Sequence, residues 1–186
     1  MTQGRRALLL AGAGLAGAGL FGLAPAFADA AGQIDQSAAA ALRRLYATEP
    51  RARELGGRAR AILVFPKIIK AGLLVGGESG EGVLWVRGRV SAFYRLSAAS
   101  FGLQAGAQSF SYALFFMTAP ALSYLQRNNG WAIGSGPSVV VVNRGAAASV
   151  TSATLTHDVY AFPFGEHGLM AGLGLEGSKI TRIHPS

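Results

Sequence analysis

The 186-residue chain contains no cysteine. Disulfides, cysteine-based zinc sites and thiol nucleophiles are therefore excluded, and so is a lipid-modified cysteine at an export cleavage site. Histidine is scarce: His157, His167 and His184 are the only three, and they lack the compact spacing of metal ligands. Acidic residues number 9 against 17 lysines and arginines, and charged residues make up 14% of the chain. A chain this poor in charge and 51% apolar is not a disordered one. No G-x-S-x-G nucleophile elbow occurs. The glycine-rich stretch Gly76–Gly82, which holds Glu78 and Glu81, lacks the Lys-Ser/Thr of a phosphate-binding loop and reads as a hairpin turn. The 26 glycines follow no Gly-X-Y period, which excludes collagen and, with short apolar runs between them, points to a β-rich fold with tight turns.

One long apolar run is present, Ala7 to Leu23. Arg5-Arg6 precede it, Pro25 breaks it, and Ala26-Phe27-Ala28 forms a small-x-small pattern. That is the layout of a secretory signal, with cleavage expected after Ala28 or Ala30. Residues 1–30 are thus expected to be a signal peptide and residues 31–186 a single domain in the periplasm or cell envelope. The arginine pair followed by Leu8 and Leu9 also resembles a twin-arginine signal, so the Sec and twin-arginine routes both stay open. The competing reading is an uncleaved membrane anchor, disfavoured by the many glycines and alanines and by the cleavage pattern. Gly12, Gly14 and Gly17 match G-x-G-x-x-G, but no strand precedes them and no acidic residue follows at the right distance, so they mark no nucleotide site. Loss of Arg5, Arg6 and Asp29 with the signal takes the basic count from 17 to 15 and the acidic count from 9 to 8. The exported domain is then strongly basic and suited to anionic partners.

Beyond the signal, Ile34, Ala38, Ala41, Leu42 and Leu45 recur at helical spacing, predicting an amphipathic helix over 33–48 with Arg43 and Arg44 off the stripe. Thr48 is the expected N-cap of a second helix with Pro50 in its first turn, running to about Arg60 across the unfavourable Gly56-Gly57. From Ala61 the texture changes to short apolar runs: Ile62–Phe65 stopped by Pro66, Leu73–Val75, Gly82–Val86, and Ala92–Leu96 after Arg87-Gly88-Arg89. Further strands are expected over Phe101–Ala107, Tyr112–Met117, Ser138–Val142, Ser149–Thr156, Val159–Phe164 and Leu169–Leu175, with a helix from Thr118-Ala119-Pro120 to about Arg127. The expected fold class is α+β: short N-terminal helices packed on a curved antiparallel sheet, sandwich or partial barrel.

Three segments carry a resemblance. They are Ala61-Ile62-Leu63-Val64-Phe65-Pro66-Lys67-Ile68-Ile69-Lys70-Ala71-Gly72, running on through Val75-Gly76-Gly77 to Gly80–Leu84; Ser100-Phe101-Gly102-Leu103-Gln104-Ala105-Gly106-Ala107-Gln108; and Val159-Tyr160-Ala161-Phe162, continuing through Gly168–Gly172 to Leu175-Glu176-Gly177. In that order and spacing they resemble the signature stretches of the SYLF domain, a lipid-binding family of bacteria and eukaryotes. The resemblance covers roughly residues 38–183. One departure is Ser91 to Ser100, where members often carry a tryptophan and a proline. The resemblance implies phospholipid or phosphoinositide binding and, in some eukaryotic members, actin binding. An exported protein meets neither phosphoinositides nor actin, so anionic phospholipid is the part that transfers.

Arg43, Arg44, Arg51, Arg53, Arg58, Arg60, Lys67 and Lys70 form a basic cluster opposed by Glu49 and Glu54. With the apolar stripe of the first helix it suits a membrane-surface device. The alternative is an ordinary helix whose stripe covers the sheet, with solvated arginines outside. Taken with the resemblance, which implies lipid binding, the leading reading is a non-enzymatic SYLF-type domain contacting anionic phospholipid. A second reading is a structural module docking an acidic envelope protein, and a weak third is a hydrolase built on the adjacent acid–base pair His157 and Asp158. Phe110, Tyr112, Phe115 and Phe116 lack interleaved basic residues between Arg95 and Arg127 and read as core rather than as nucleic-acid stacking platforms. No residue set points to a cofactor or a metal.

Overall fold

The computed structural model describes residues 24–127, 130–142, 156–167, 175 and 177–185. Its elements are α1 (Ala24–Thr48), α2 (Pro50–Arg58), β1 (Ala61–Val86), β2 (Arg89–Phe116), α3 (Ala119–Arg127), β3 (Trp131–Ala132), β4 (Val139–Val141), β5 (Val159–His167) and β6 (Lys179–Ile183). β2 is the centre of a six-stranded sheet among the described residues. One edge of β2 pairs with β1 along nearly its whole length, while the other takes β6 at Phe93–Ser97 and β5 at Ser109–Phe116. All pairings are antiparallel except β4 with β5, so the sheet is mixed, and it curls into a half-barrel. The α+β class with a curved sheet under N-terminal helices is the observed architecture.

Both faces of the ribbon made by β1 and β2 are covered, which is why its sequence reads as apolar runs rather than clean alternation. Leu63, Phe65, Tyr112, Leu114 and Phe116 face the concave interior with Leu84, Tyr94, Leu96 and Ile180. Val64, Val83, Ala113 and Phe115 face the other way, against Ala38, Ala41 and Leu45 of α1 and Leu55 of α2. The interior is closed by Ala121 and Leu125 of α3 and by Trp131, whose indole N–H donates to the Ser135 carbonyl at 2.8 Å. Phe110, Tyr112, Phe115 and Phe116 are all buried, as the core reading expects.

Several expected breaks turn out to be continuous. The runs on either side of Pro66 and of Gly76–Gly82 are one 26-residue strand. Proline lacks an N–H, so the ladder skips between Phe65 and Ile68 instead of ending there. The Pro66 carbonyl that the bulge frees accepts the Ser111 hydroxyl at 2.7 Å. Gly76–Gly82 is not a hairpin turn, since each of its residues pairs across to β2. The turn is Arg87-Gly88, with φ of 51° and 75°, closing Val86 onto Arg89. That is the geometry of a two-residue type I′ turn, in which asparagine or glycine is the usual first residue. Arginine there costs about 1 kcal/mol of backbone strain.

The glycines inside β1 serve the curl. A Cβ at Gly80 would stand 2.6 Å from the Lys67 carbonyl oxygen and 2.7 Å from Ile68 Cγ1, and one at Gly82 would fall on the Val64 carbonyl and 2.7 Å from Phe65 Cδ1. The far end of the strand therefore lies against its own beginning, and only a bare backbone lets it come so close.

Two helix details also differ from expectation. The cap of α2 is Glu49, without a side-chain cap bond; the Thr48 hydroxyl instead donates back to the Arg44 and Leu45 carbonyls at the end of α1. α1 starts at Ala24, earlier than residue 33, and so runs through the Ala26-Phe27-Ala28 pattern. Residues 1–23, the strand expected at Ser149–Thr156 and most of that expected at Leu169–Leu175 lie outside the described residues. β3 and β6 were not anticipated, β6 because Lys179-Ile180-Thr181-Arg182-Ile183 is short and carries two charged residues.

Gly82→Ala is expected to lower stability by at least about 2 kcal/mol through overpacking against rigid backbone, which for a domain of this size is roughly 4–8 °C in thermal melting. Gly77→Ala is the control, because nothing lies within 4 Å of its Cβ position. It is expected to be neutral or slightly stabilising. Equal melting temperatures for the two variants would disprove the close approach.

Candidate functional site

The apolar stripe of α1 is used on the sheet. Ala38, Ala41 and Leu45 are fully buried, and Ile34 and Leu42 are partly buried against the same cluster. Of the two uses that the sequence leaves open for this face, the structure shows the covering one. Among the described residues no helix is long and apolar enough to cross a membrane.

The basic residues lie around this helical layer, but they do not form one patch. Arg51 and Arg58 both bind Glu54, at 2.7 and 3.2 Å. Arg53 donates to the Tyr46 carbonyl at 3.1 Å and lies 5.9 Å from the Tyr46 ring centroid. Tyr46 in turn stacks on Phe115, and burial pushes its phenol pKa up despite Arg53. Gly56 of α2 sits against the Tyr46 ring, where a Cβ would stand 2.8 Å from Cζ. Three of the eight cations are thus engaged within the α1–α2 pair itself.

The remaining cations fall on two sides of α1. On one side Arg44 and Lys67 border a shallow groove with Ile34 and Pro66. Glu81 also borders it, and is held by Arg95 at 2.6 Å. On the other side Arg43 and Arg60 line a cleft of about 510 Å³ between α1, the end of α2 and the β1–β2 turn, and Arg87 from that turn joins them. The floor of this cleft includes Leu42, Ile62 and Trp85. Its carboxylate, Asp35, accepts the Trp85 indole N–H at 2.7 Å. Arg87 was missed as a site residue because Arg87-Gly88-Arg89 reads as a turn. Its unusual turn position was the available signal. Lys70 lies apart on β1, close enough to Glu78 to oppose the upward push that burial gives that carboxyl. Burial also raises the Tyr112 phenol above its ordinary range, with Glu78 and Glu166 adding to the effect.

The acid–base pair His157-Asp158 does not form a relay in this structure. The Asp158 carboxylate accepts the Thr118 hydroxyl at 2.8 Å and both the amide and the hydroxyl of Ser138, at 3.1 and 3.0 Å. Serine thus bonds to the acid directly, whereas a nucleophile relay needs the histidine between them. The His157 ring packs edge-on to Tyr160. The knot ties the N-cap of α3 to the entrances of β4 and β5, and Thr118 also accepts the Ala121 amide at 3.4 Å.

These bonds, the Thr118 hydroxyl first, hold the Asp158 pKa below its ordinary 3.8. A carboxyl depressed on folding stabilises the native state above its unfolded pKa, and that contribution is lost as the pH falls through the folded value. Asp158→Asn is therefore expected to cost on the order of 1 kcal/mol at pH 7, the scale of hydrogen bonds to a half-exposed charge. In denaturant titrations the gap to the parent protein should be full above about pH 5 and close below pH 3.8. A gap that stays constant from pH 7 to pH 2 would rule out the charge as its origin.

Residues 97–184 match the model of the family described as Ysc84: Las17-binding protein actin regulator. No curated protein matches the chain significantly. The matched stretch runs from Ser97 in β2 to His184 just past β6, and so contains the second and third of the signature segments. The first segment, α1, α2 and all eight cations of the basic cluster precede it. The family is one of lipid- or actin-related binding domains. Residues 97–184 are therefore similar to the Ysc84 family, the SYLF domains, in agreement with the resemblance that the signature segments carry.

Proposed function

We propose that the protein is a non-enzymatic, exported SYLF domain that contacts anionic phospholipid at the cell envelope through its helical layer. The observation that carries this reading is the charge of that layer. Arg43, Arg44 and Arg60, with Lys67 on the adjoining β1, are solvent-exposed with no ion pair among the described residues, and the nearby Glu54 is already bound to two arginines. Each such cation contributes about 1 kcal/mol of attraction to an anionic surface, within a Debye length. With the apolar stripe of α1 buried, contact is electrostatic and superficial rather than insertive. The exported address rests on the N-terminal signal pattern. In that compartment the actin-regulator role in the family's description has no partner, which leaves lipid as the binding function.

Co-sedimentation with vesicles tests the reading. Binding is expected to vesicles containing phosphatidylglycerol, not to pure phosphatidylcholine, and to weaken at least tenfold between about 50 and 300 mM salt. Reversal to glutamate of Arg43, Arg44, Arg60 and Lys67 together should abolish it. Removing Arg51 and Arg58, already paired with Glu54, should matter less. Equal binding to neutral and anionic vesicles would overturn the proposal, and stoichiometric capture of one acidic protein with no lipid response would favour the docking-module reading. For the address, N-terminal sequencing of the protein from its native cells should begin at Asp29 or Ala31. A retained Met1 would contradict cleavage.

A further inference from the structure

We infer that the cleft between α1, the end of α2 and the β1–β2 turn is a specific site for one phosphomonoester-headed amphiphile. Arg43, Arg60 and Arg87 would hold the phosphate, with Leu42, Ile62 and Trp85 beneath the glycerol and first chain carbons. This rests on the lipid-binding reading above and deepens it from a charged surface to a defined pocket.

The geometry and the charge count carry the inference. The cleft's roughly 510 Å³ is in the range of small-molecule sites. It joins a cationic rim to an apolar floor, which matches an amphiphile better than a free ion. None of the three guanidinium groups has an ion pair or hydrogen bond among the described residues. The one carboxylate of the lining, Asp35, accepts the Trp85 indole N–H on one oxygen and has no ion pair among the described residues. Three arginines and one aspartate leave two positive charges, which suits the near-dianionic phosphomonoester better than the singly charged phosphodiester. Arginine matches phosphate oxygens with paired N–H donors. Arg87 is held at φ 51° as the first residue of the turn, where asparagine would be relaxed. That strained position brings the third guanidinium to the cleft.

Trp85 reports on the site, because it lies in the floor and is partly exposed, whereas Trp131 is buried. The test is tryptophan fluorescence of the full chain titrated with monomeric dihexanoyl phosphatidic acid, against dihexanoyl phosphatidylglycerol, dihexanoyl phosphatidylcholine and inorganic phosphate. A saturable change with phosphatidic acid is expected, at least tenfold weaker with phosphatidylglycerol and with inorganic phosphate, and none with phosphatidylcholine. Arg87→Asn should weaken phosphatidic acid binding at least tenfold while leaving the melting temperature unchanged or raised, so lost binding cannot be lost folding. No saturation, an equal response to all three lipids, or an Arg87→Asn variant that binds normally would overturn the site. Inorganic phosphate binding as tightly as the lipid would remove the apolar floor from it. A protein that sediments with anionic vesicles yet fails this titration loses the pocket and keeps the surface reading, whereas failure in both assays removes both.

Discussion

The ladder between β1 and β2 is the interaction on which the other elements depend. It joins 26 residues to 28 through a single two-residue turn, and every other described strand reaches the sheet directly or indirectly through β2. A flat ribbon of that length would leave both faces open. Curling solves this for the inner face, because Leu63, Phe65 and Ile68 then share one core with Leu84, Tyr94 and Leu96 from the far end of the ribbon. The curl in turn needs β1 to pass its own backbone at Gly80 and Gly82, and needs the Pro66 bulge to redirect the strand. The outer face is left to the helices. Their placement, and with it the placement of the arginines, follows from where the ribbon presents Val64, Val83, Ala113 and Phe115.

The elements that could be read from sequence were those governed by local chemistry. The stripe of α1, the Thr118 start of α3 and the strands around Val139 and Val159 are set by periodicity and capping within a few residues. What could not be read was continuity. Glycine and proline ordinarily mark chain reversal, and at Pro66 and Gly76–Gly82 the same residues instead permit a bulge and a close crossing inside one strand. The difference lies in what β2 does alongside, which local signals do not contain. The candidate site divides in the same way. The excess of cations was visible as a count, but their partition was not. Arginine is long enough that Arg51, Arg53 and Arg58 turn inward to Glu54 and Tyr46. Arg87, distant in sequence, reaches the α1–α2 cleft because the hairpin ends there.

On the proposed lipid-binding reading, the buried stripe of α1 also decides between two physical routes to a membrane. In one, α1 detaches and inserts its apolar face; in the other it stays in place and offers only charge. Detachment would uncover Leu45 together with Val64, Phe115 and Phe162, all at most 2% exposed in the folded protein. Each large side chain contributes about 1.5–3 kcal/mol by its burial. Only the helix side of that loss is recovered in the bilayer, because the sheet's side chains would be left facing water. On that reading the attraction from Arg43, Arg44, Arg60 and Lys67, without ion pairs among the described residues, is about 1 kcal/mol each and is already available with α1 in place. Detachment therefore adds a cost without adding charge. On the proposed reading the docked helix is the binding form, and the apolar contact that a lipid makes is confined to the cleft floor at Leu42, Ile62 and Trp85, where the layer is open without being dismantled.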